Sequence, residues 1–269
     1  VNQNQYEQQY KQIIIDFFDR RTSYDNEHTI SRTLPILKLV RFEKGQKILD
    51  IATGTGLIAI SAAQVVGNQG KVVGVDFSSI MLQQAQRKIN ELGLKNIELI
   101  QADAEYIDFE NESFDIITCS SAIVYFRDIF KALKNWYRWL KKGGVIAFSC
   151  GSEKSYSTPL IIKAAAKYGI SLLNINEPTG TPEKCHHLMQ LAGFQDIEIK
   201  SKQFGFYQSL DEAKQWNGSW YHPHENPLLE VSPEKMEELK ADFQQLIEVN
   251  LTERGVWYEA LMFFVTGYK

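Results

Sequence analysis

Between Ile48 and Ile60 the chain reads ILDIATGTGLIAI: a buried-type strand, a glycine-rich turn and the start of an apolar helix, with no spacer between them. The alternation recurs downstream. Strand-like stretches at Lys47–Ala52, Lys71–Asp76, Ile97–Ala102, Phe114–Cys119 and Val145–Cys150 interleave with helical ones at Gly56–Val66, Ser79–Leu92 and Phe126–Lys141, the last closed by Gly143-Gly144. Such an order predicts an α/β fold, a mostly parallel sheet with helices on both faces. Runs such as VVGV and DIITC suit strands buried on both sides.

Outside this core the pattern changes. Residues 6–22 carry an apolar stripe at helical spacing, and a second helix is expected over Ile30–Val40. After Gly151, PLIIKAAAKYGISLL reads as a helix and NINEPTGTP as a loop. Thr181–Leu191 has a helix's opening Pro182 and closing Gly193. Gln195–Phe206 alternates as a strand. Residues 208–250 are mostly helical around the aromatic segment WNGSWYHPH, and Val256–Gly267 reads as one long final strand. No helix pairs the last two strands as a parallel unit, so an antiparallel end to the sheet is expected.

The composition excludes several function classes. With 269 residues, 44% hydrophobic and 23% charged, the chain has material for a core of ordinary globular type. No apolar run reaches the roughly 18 residues of a membrane span, and the polar start VNQNQYEQQYKQ is no secretory leader. A net charge of -4 with mixed signs gives no basic face for a nucleic acid. Cys119, Cys150 and Cys185 are far apart and lack metal-ligand spacing, which reads as buried thiols of a cytoplasmic protein.

Three carboxylates carry the chemistry. Gly54, Gly56 and Ala59 fit the G-x-G-x-x-A spacing of a dinucleotide site, where backbone N–H groups hold a pyrophosphate. Asp50, directly before the turn, would repel a pyrophosphate and suits a cation. Asp76 ends the next strand, where an acid accepts from ribose hydroxyls in either kind of site. Asp103, with Ala104, ends the third strand, where a carboxylate can accept from an adenine amino group. Acids at three successive strand ends converge on one crevice, which suits adenosine bearing a positive centre.

In these stretches the chain resembles the class I S-adenosylmethionine-dependent methyltransferases. LDIATGTG is similar to the family's first motif, VVGVDFSSIML to its second and QADAEYIDF to the next, while FDIITCSSAIVYFRDIFKAL and LKKGGVIAFSC resemble the fourth and fifth strands with their helix. The nearest flavour is the group of small-molecule enzymes (methyltransferase type 11) that includes quinone C-methyltransferases. Its members often carry Ala for the first glycine and a YD pair like Tyr24-Asp25. The resemblance implies a Rossmann-like seven-stranded, mostly parallel sheet with an antiparallel last strand and a small helical cap.

It also implies site roles. Ala52, Thr53, Gly54 and Gly56 would contact the methionine part of S-adenosylmethionine, and Asp50 its amino group. Asp76 would take the ribose, Phe77 and Met81 the adenine face, Asp103 and Ala104 its amino edge, and Cys119 and Ser120 the methionine end. Ala52 itself asks for an ordinary backbone geometry. The implied division is N-terminal helices 1–46 over the active site, a donor-binding core 47–152, a cap insertion 153–180, a core helix and strand 181–207, an aromatic substrate cap 208–250 and a final strand 251–269.

Methyl transfer is an in-line displacement, so the chain must align an acceptor and exclude water. A phenol or carbon acid also needs a base. His28, His222 and His224 are the candidate bases, with Tyr24 and Tyr125 as positioning groups. Tyr24, His28, Tyr125, Trp216, Trp220 and Tyr221 are candidates for the acceptor pocket, the last three equally readable as core. His186-His187 reads as part of a structural helix, and His222-x-His224 lacks further ligands, so no metal is expected. The expected partner is a small, fairly apolar acceptor, the product S-adenosylhomocysteine and the protein a monomer or homodimer. An NAD(P)-dependent oxidoreductase and a cofactor binder without turnover are the alternatives.

Overall fold

A computed structural model describes residues 3–216 and 222–269. Helix α1 (Gln3–Asp19) and helix α2 (Glu27–Leu39) precede the core. Asn26 caps α2 by accepting the Thr29 N–H at 3.0 Å. The core runs β1 (Lys47–Ile51), α3 (Leu57–Val66), β2 (Lys71–Asp76), α4 (Ser79–Glu91), β3 (Ile97–Gln101), β4 (Phe114–Cys119), α5 (Ile129–Trp139) and β5 (Leu140–Gly151). Then come α6 (Thr158–Ala166), α7 (Pro182–Ala192), β6 (Gln195–Gln203), β7 (Phe206–Gln208), α8 (Leu210–Ala213), α9 (Pro233–Glu248), β8 (Leu251–Thr252), β9 (Gly255–Tyr258) and β10 (Leu261–Tyr268).

Seven strands form one sheet in the order β3-β2-β1-β4-β5-β10-β6. Its first five strands pair in parallel, and β10 lies antiparallel between β5 and β6. The order reverses beside β1, so the carboxyl ends of β1 and β4 border a crevice in which α/β folds bind ligands. One face packs on α5 and α7 around Trp136, Trp139, Met189 and Phe263. The other packs on α2 and α3 around Ile36, Ile58, Ala62 and Phe264. Helix α5 shows why these elements dock: Ile129, Ala132, Leu133, Trp136 and Trp139 are buried along one side, and Asp128 caps the helix through the Lys131 N–H.

Two expected elements end elsewhere. Gly143-Gly144 does not close a helix; the chain is already extended at Leu140, which pairs with Phe114. The next pair is Ile116 with Val145, so the glycines take up extra residues in a bulge, Gly143 at φ 74. Nor is Val256–Gly267 one strand. It breaks at Glu259-Ala260, where the Ala260 N–H donates to Gln203 Oε1 and the Glu259 carbonyl accepts the Tyr156 N–H. Before the break, β9 joins β7 and β8 in a separate small sheet. That sheet, α6, α8 and α9 enclose a third core around Leu239, Phe243 and Val256. Among the described residues no helix is long and apolar enough to cross a membrane.

Candidate active site

The turn after β1 is built from backbone geometry that favours glycine. Gly54 has φ 55 and Gly56 φ 79, and a side chain at Gly54 would stand in the open cleft. Gly56 serves packing instead: a Cβ there would come within 3.2 Å of the Ala85 Cβ, so its absence lets α3 approach α4. Ala52 corrects the expectation of ordinary geometry, because it sits at φ 51. The usual glycine at this point answers that left-handed backbone, and alanine holds it at a strain of about 1–2 kcal/mol. The Thr53 N–H donates to the Val75 carbonyl at 3.0 Å, tying the turn to β2.

Two carboxylates brace this turn from below. Asp50 is 2% exposed and accepts from Thr53 Oγ1 at 2.6 Å and Thr118 Oγ1 at 2.7 Å. Burial raises it to about 6 against those hydroxyls, and the neighbouring Asp76 adds to the rise. Asp76 accepts the Gly54 N–H at 2.8 Å and the Ser78 N–H at 2.9 Å, and burial raises it likewise to about 6. No lysine or arginine forms an ion pair with either among the described residues. Two buried acids without counterions fit a ligand bearing positive charge and oppose a pyrophosphate.

Two cavities meet above the turn. The first is lined by Asp76, Phe77, Met81, Asp103 and Ala104, and α1 closes it with Tyr10, Lys11, Ile14 and Phe18. Lys11 pairs with Asp103 and, at 3.0 Å, with Glu105; the Tyr10 hydroxyl donates to the Tyr125 carbonyl, and Tyr6 to the His222 carbonyl. The second cavity, of about 400 Å3, is walled by Asp50, Thr53, His28, Arg32, Tyr156, Asn176 and Tyr258 with apolar Ile58, Val124 and Met262. Phe18, Tyr24, Ala52, Gly54, Ser120, Ser121 and Tyr125 line both. Tyr24 is fixed there because its neighbour Asp25 accepts from Thr55 of the turn and, at 2.5 Å, from Lys88 of α4.

The remaining candidates are not brought to these cavities. Cys119 is fully buried, and burial, then Asp50, push its thiol up, so its side chain belongs to the core. His222 and His224 border a separate cavity beside α5 and α7. The His222 ring accepts the His224 N–H at 3.3 Å, and burial with the nearby His224 lowers it to about 4. Trp216 packs edge-on with Phe243, 5.1 Å between ring centres, against the third core. Trp220 and Tyr221 lie outside the described residues. Among the described residues, none from 208 to 250 lines either of the two cavities, which are covered by the N-terminal helices, the 150–176 segment and the β9–β10 link. Sequence reasoning missed Lys11, Arg32, Tyr156, Asn176 and Tyr258; of the site's latches only Tyr24-Asp25 had left a signal.

Residues 16–176 match the ubiE/COQ5 methyltransferase family. The chain belongs to that family. It is a class I methyltransferase that takes its methyl group from S-adenosylmethionine and passes it to a small molecule. The demethylmenaquinone methyltransferase of Geobacillus stearothermophilus is 30% identical over 187 residues, 63% of this chain and 80% of that protein. That of Listeria welshimeri is 38% identical over 111 residues, 41% of this chain and 47% of its own. The fold agrees with the YcgJ protein of Bacillus subtilis, 17% identical at a TM-score of 0.59, over 91% of this chain and 99% of that one. A methyltransferase from Aquifex aeolicus, 20% identical, gives 0.53 over 67% and 89%. Residues 177–269, which include α7 and the sheet strands β6 and β10 of this methyltransferase, lie outside the family match.

Proposed function

We propose that this methyltransferase binds the adenosine of its donor under α1 and transfers the methyl group through the shared wall at Tyr24, Ser120 and Tyr125 to an acceptor in the second cavity. The observation that carries this reading is the junction itself. One cavity holds Asp76 and Asp103, the other holds Asp50, His28, Tyr156 and Tyr258, and both open onto the same turn.

In the donor half, Asp76 receives the ribose hydroxyls, Phe77 and Met81 flank the adenine, and Asp103 with Ala104 meets its amino edge. Ala52, Thr53, Gly54 and Ser120 contact the methionine portion, whose ammonium Asp50 attracts. Gly56 contributes by packing, and Cys119 through its backbone. S-adenosylmethionine supplies an electrophilic methyl on a sulfonium; the chain supplies alignment and a dry wall.

In the acceptor half, burial, then the Arg32 charge, hold His28 below its usual pKa, so it is neutral at pH 7 and free to take a proton. Burial raises the Tyr24 phenol, which therefore stays protonated and positions the acceptor by hydrogen bonding. A fairly apolar phenol, quinol or enol with the methyl-accepting atom at the junction fits these groups better than a simple amine, which needs no base.

The test is release of S-adenosylhomocysteine with a panel of phenols, quinols, amines and prenyl-type acceptors, alongside calorimetric binding of S-adenosylhomocysteine. Asp76→Ala should abolish measurable binding, and unchanged affinity would refute the ribose role. Donor binding without turnover across the panel would leave a binder in place of an enzyme of this specificity.

A further inference from the structure

The acceptor half contains a charge that no described side chain answers. Arg32 lies one turn after His28 on α2 and lines the second cavity. Its Nε and Nη2 are buried, and neither has a hydrogen-bond partner. No carboxylate forms an ion pair with it among the described residues. The residue as a whole is half-buried and a guanidinium keeps its proton, so these two buried N–H groups are donors left without an acceptor. Stacking offsets part of that loss: Arg32 sits 5.6 Å from the Tyr156 ring centre and 5.9 Å from that of Phe204.

The surroundings repeat the sign. Arg21 also lines this cavity, and its one acidic lining residue, Asp50, is occupied by two threonine hydroxyls. Tyr156 and Tyr258 stand beside Arg32 with ring centres 6.1 Å apart. Tyr156 is held at φ 65, a left-handed backbone that a tyrosine adopts only when its surroundings impose it. Its N–H donates to the Glu259 carbonyl at 2.7 Å, which secures that conformation. Strain retained at a cavity wall points to a role for the ring it places.

Location separates this group from the donor's adenosine. Asp76 and Asp103, at β2 and just past β3, line the first cavity on one side of the sheet order, whereas Asp50 and Thr53, at the methionine end, share the second cavity with Arg32. Arg32 stacks on rings that follow β5 and β6, and the cavity there is closed by Tyr258 and Met262 beside β10. It does not line the adenosine cavity.

We propose that Arg32, flanked by Tyr156 and Tyr258, is a subsite for an acidic group of the methyl acceptor, a carboxylate that pairs with the guanidinium while the methyl-accepting atom reaches the Tyr24–Ser120 junction. This deepens the proposed function and rests on its assignment of the second cavity to the acceptor. The preferred acceptor is then an apolar frame carrying both a carboxylate and a nucleophilic phenol or enol. A planar carboxylate matches the fork of an arginine and would use both N–H groups that are otherwise unmatched.

The test uses the full chain loaded with S-adenosylhomocysteine. Binding of benzoate, para-hydroxybenzoate, phenylacetate and indole acetate is measured by calorimetry against their uncharged amides, in the wild type, Arg32→Met and Arg32→Lys. At least one acid should bind the wild type about tenfold or more tighter than its amide. The preference should vanish in Arg32→Met and survive in part in Arg32→Lys. S-adenosylhomocysteine affinity should stay within about twofold, and ligand-free Arg32→Met should melt no lower than the wild type. No preference for any acid, or a preference that persists in Arg32→Met, overturns the subsite. A fall of about tenfold in S-adenosylhomocysteine affinity in Arg32→Met assigns the guanidinium to the donor and also overturns it. A markedly lower melting point for Arg32→Met shows a structural role and does the same. Failure of the wild type to bind S-adenosylhomocysteine would instead refute the proposed site as a whole.

Discussion

Replacing Asp50 with asparagine should make the ligand-free methyltransferase more stable while making its donor harder to bind. Burial raises Asp50 from 3.8 to about 6. The unfolded chain therefore gives up this proton more readily than the folded one. The stability tied to Asp50 is full below pH 3.8, falls as pH rises towards 6 and stays low above. At 1.36 kcal/mol per unit the loss at pH 7.5 is about 3 kcal/mol, and about half of that at pH 5. Asparagine has no proton to lose and keeps the shape; Thr53 and Thr118 can turn their hydroxyls to suit it, since each both donates and accepts. For a domain of this size about 3 kcal/mol corresponds to a rise of about 6 °C or more in melting temperature. Melting curves of Asp50→Asn and wild type from pH 5 to 8 measure it, with calorimetry for S-adenosylmethionine, whose affinity should drop about tenfold or more. A variant that melts lower at pH 7.5 with an intact spectrum, or gains equally at both pH values, refutes the reasoning. The same carboxyls predict that wild-type affinity for S-adenosylmethionine weakens as pH falls through 6.

Other outcomes follow from single contacts. Ala52→Gly relieves a left-handed alanine but adds chain entropy to the unfolded state, so its melting point should match or exceed the wild type's by about 1 kcal/mol of stability; clear destabilisation would show that the strain is absent. Lys11→Met removes the α1 contact to Asp103 and Glu105, a partly buried pair of about 1 kcal/mol, and should speed S-adenosylhomocysteine release about fivefold in stopped-flow measurements; an unchanged rate would mean that α1 does not gate the cleft. Once an acceptor is in hand, His28→Ala should lower kcat about 100-fold with donor affinity intact. His222→Ala, outside both cavities, should keep kcat within about twofold; the reverse ranking would move the base.

Much of the proposed donor half was legible in the chain because it depends on local order. Strands of period two, helices of period 3.6 and glycines between them set the α/β layering, and a parallel sheet gathers the carboxyl ends of its strands on one edge. Asp76 is the last residue of β2, Asp50 the last but one of β1, and Asp103 lies two residues beyond β3, so their placement on one sheet edge needs no knowledge of distant contacts. The first-motif alanine was visible too, but not its φ of 51, since a backbone angle follows from how the turn is pinned to β2.

The proposed acceptor half depends on packing between remote segments. The aromatic stretch near 216 looks the same whether it covers a ligand or fills a core; only the position of Phe243 on α9 makes Trp216 a core residue. His28, His222 and His224 were all candidate bases, His28 alone following the Tyr24-Asp25 pair; α2 brings His28 to the second cavity, and the other two border a separate one. Arg32 has no motif. It became informative when Tyr156, Phe204 and Tyr258, more than a hundred residues away, closed around it without a carboxylate. A sequence determines periodicity and turn chemistry by itself; which charge is left unmatched depends on every element packed around it, and only the tertiary structure decides that.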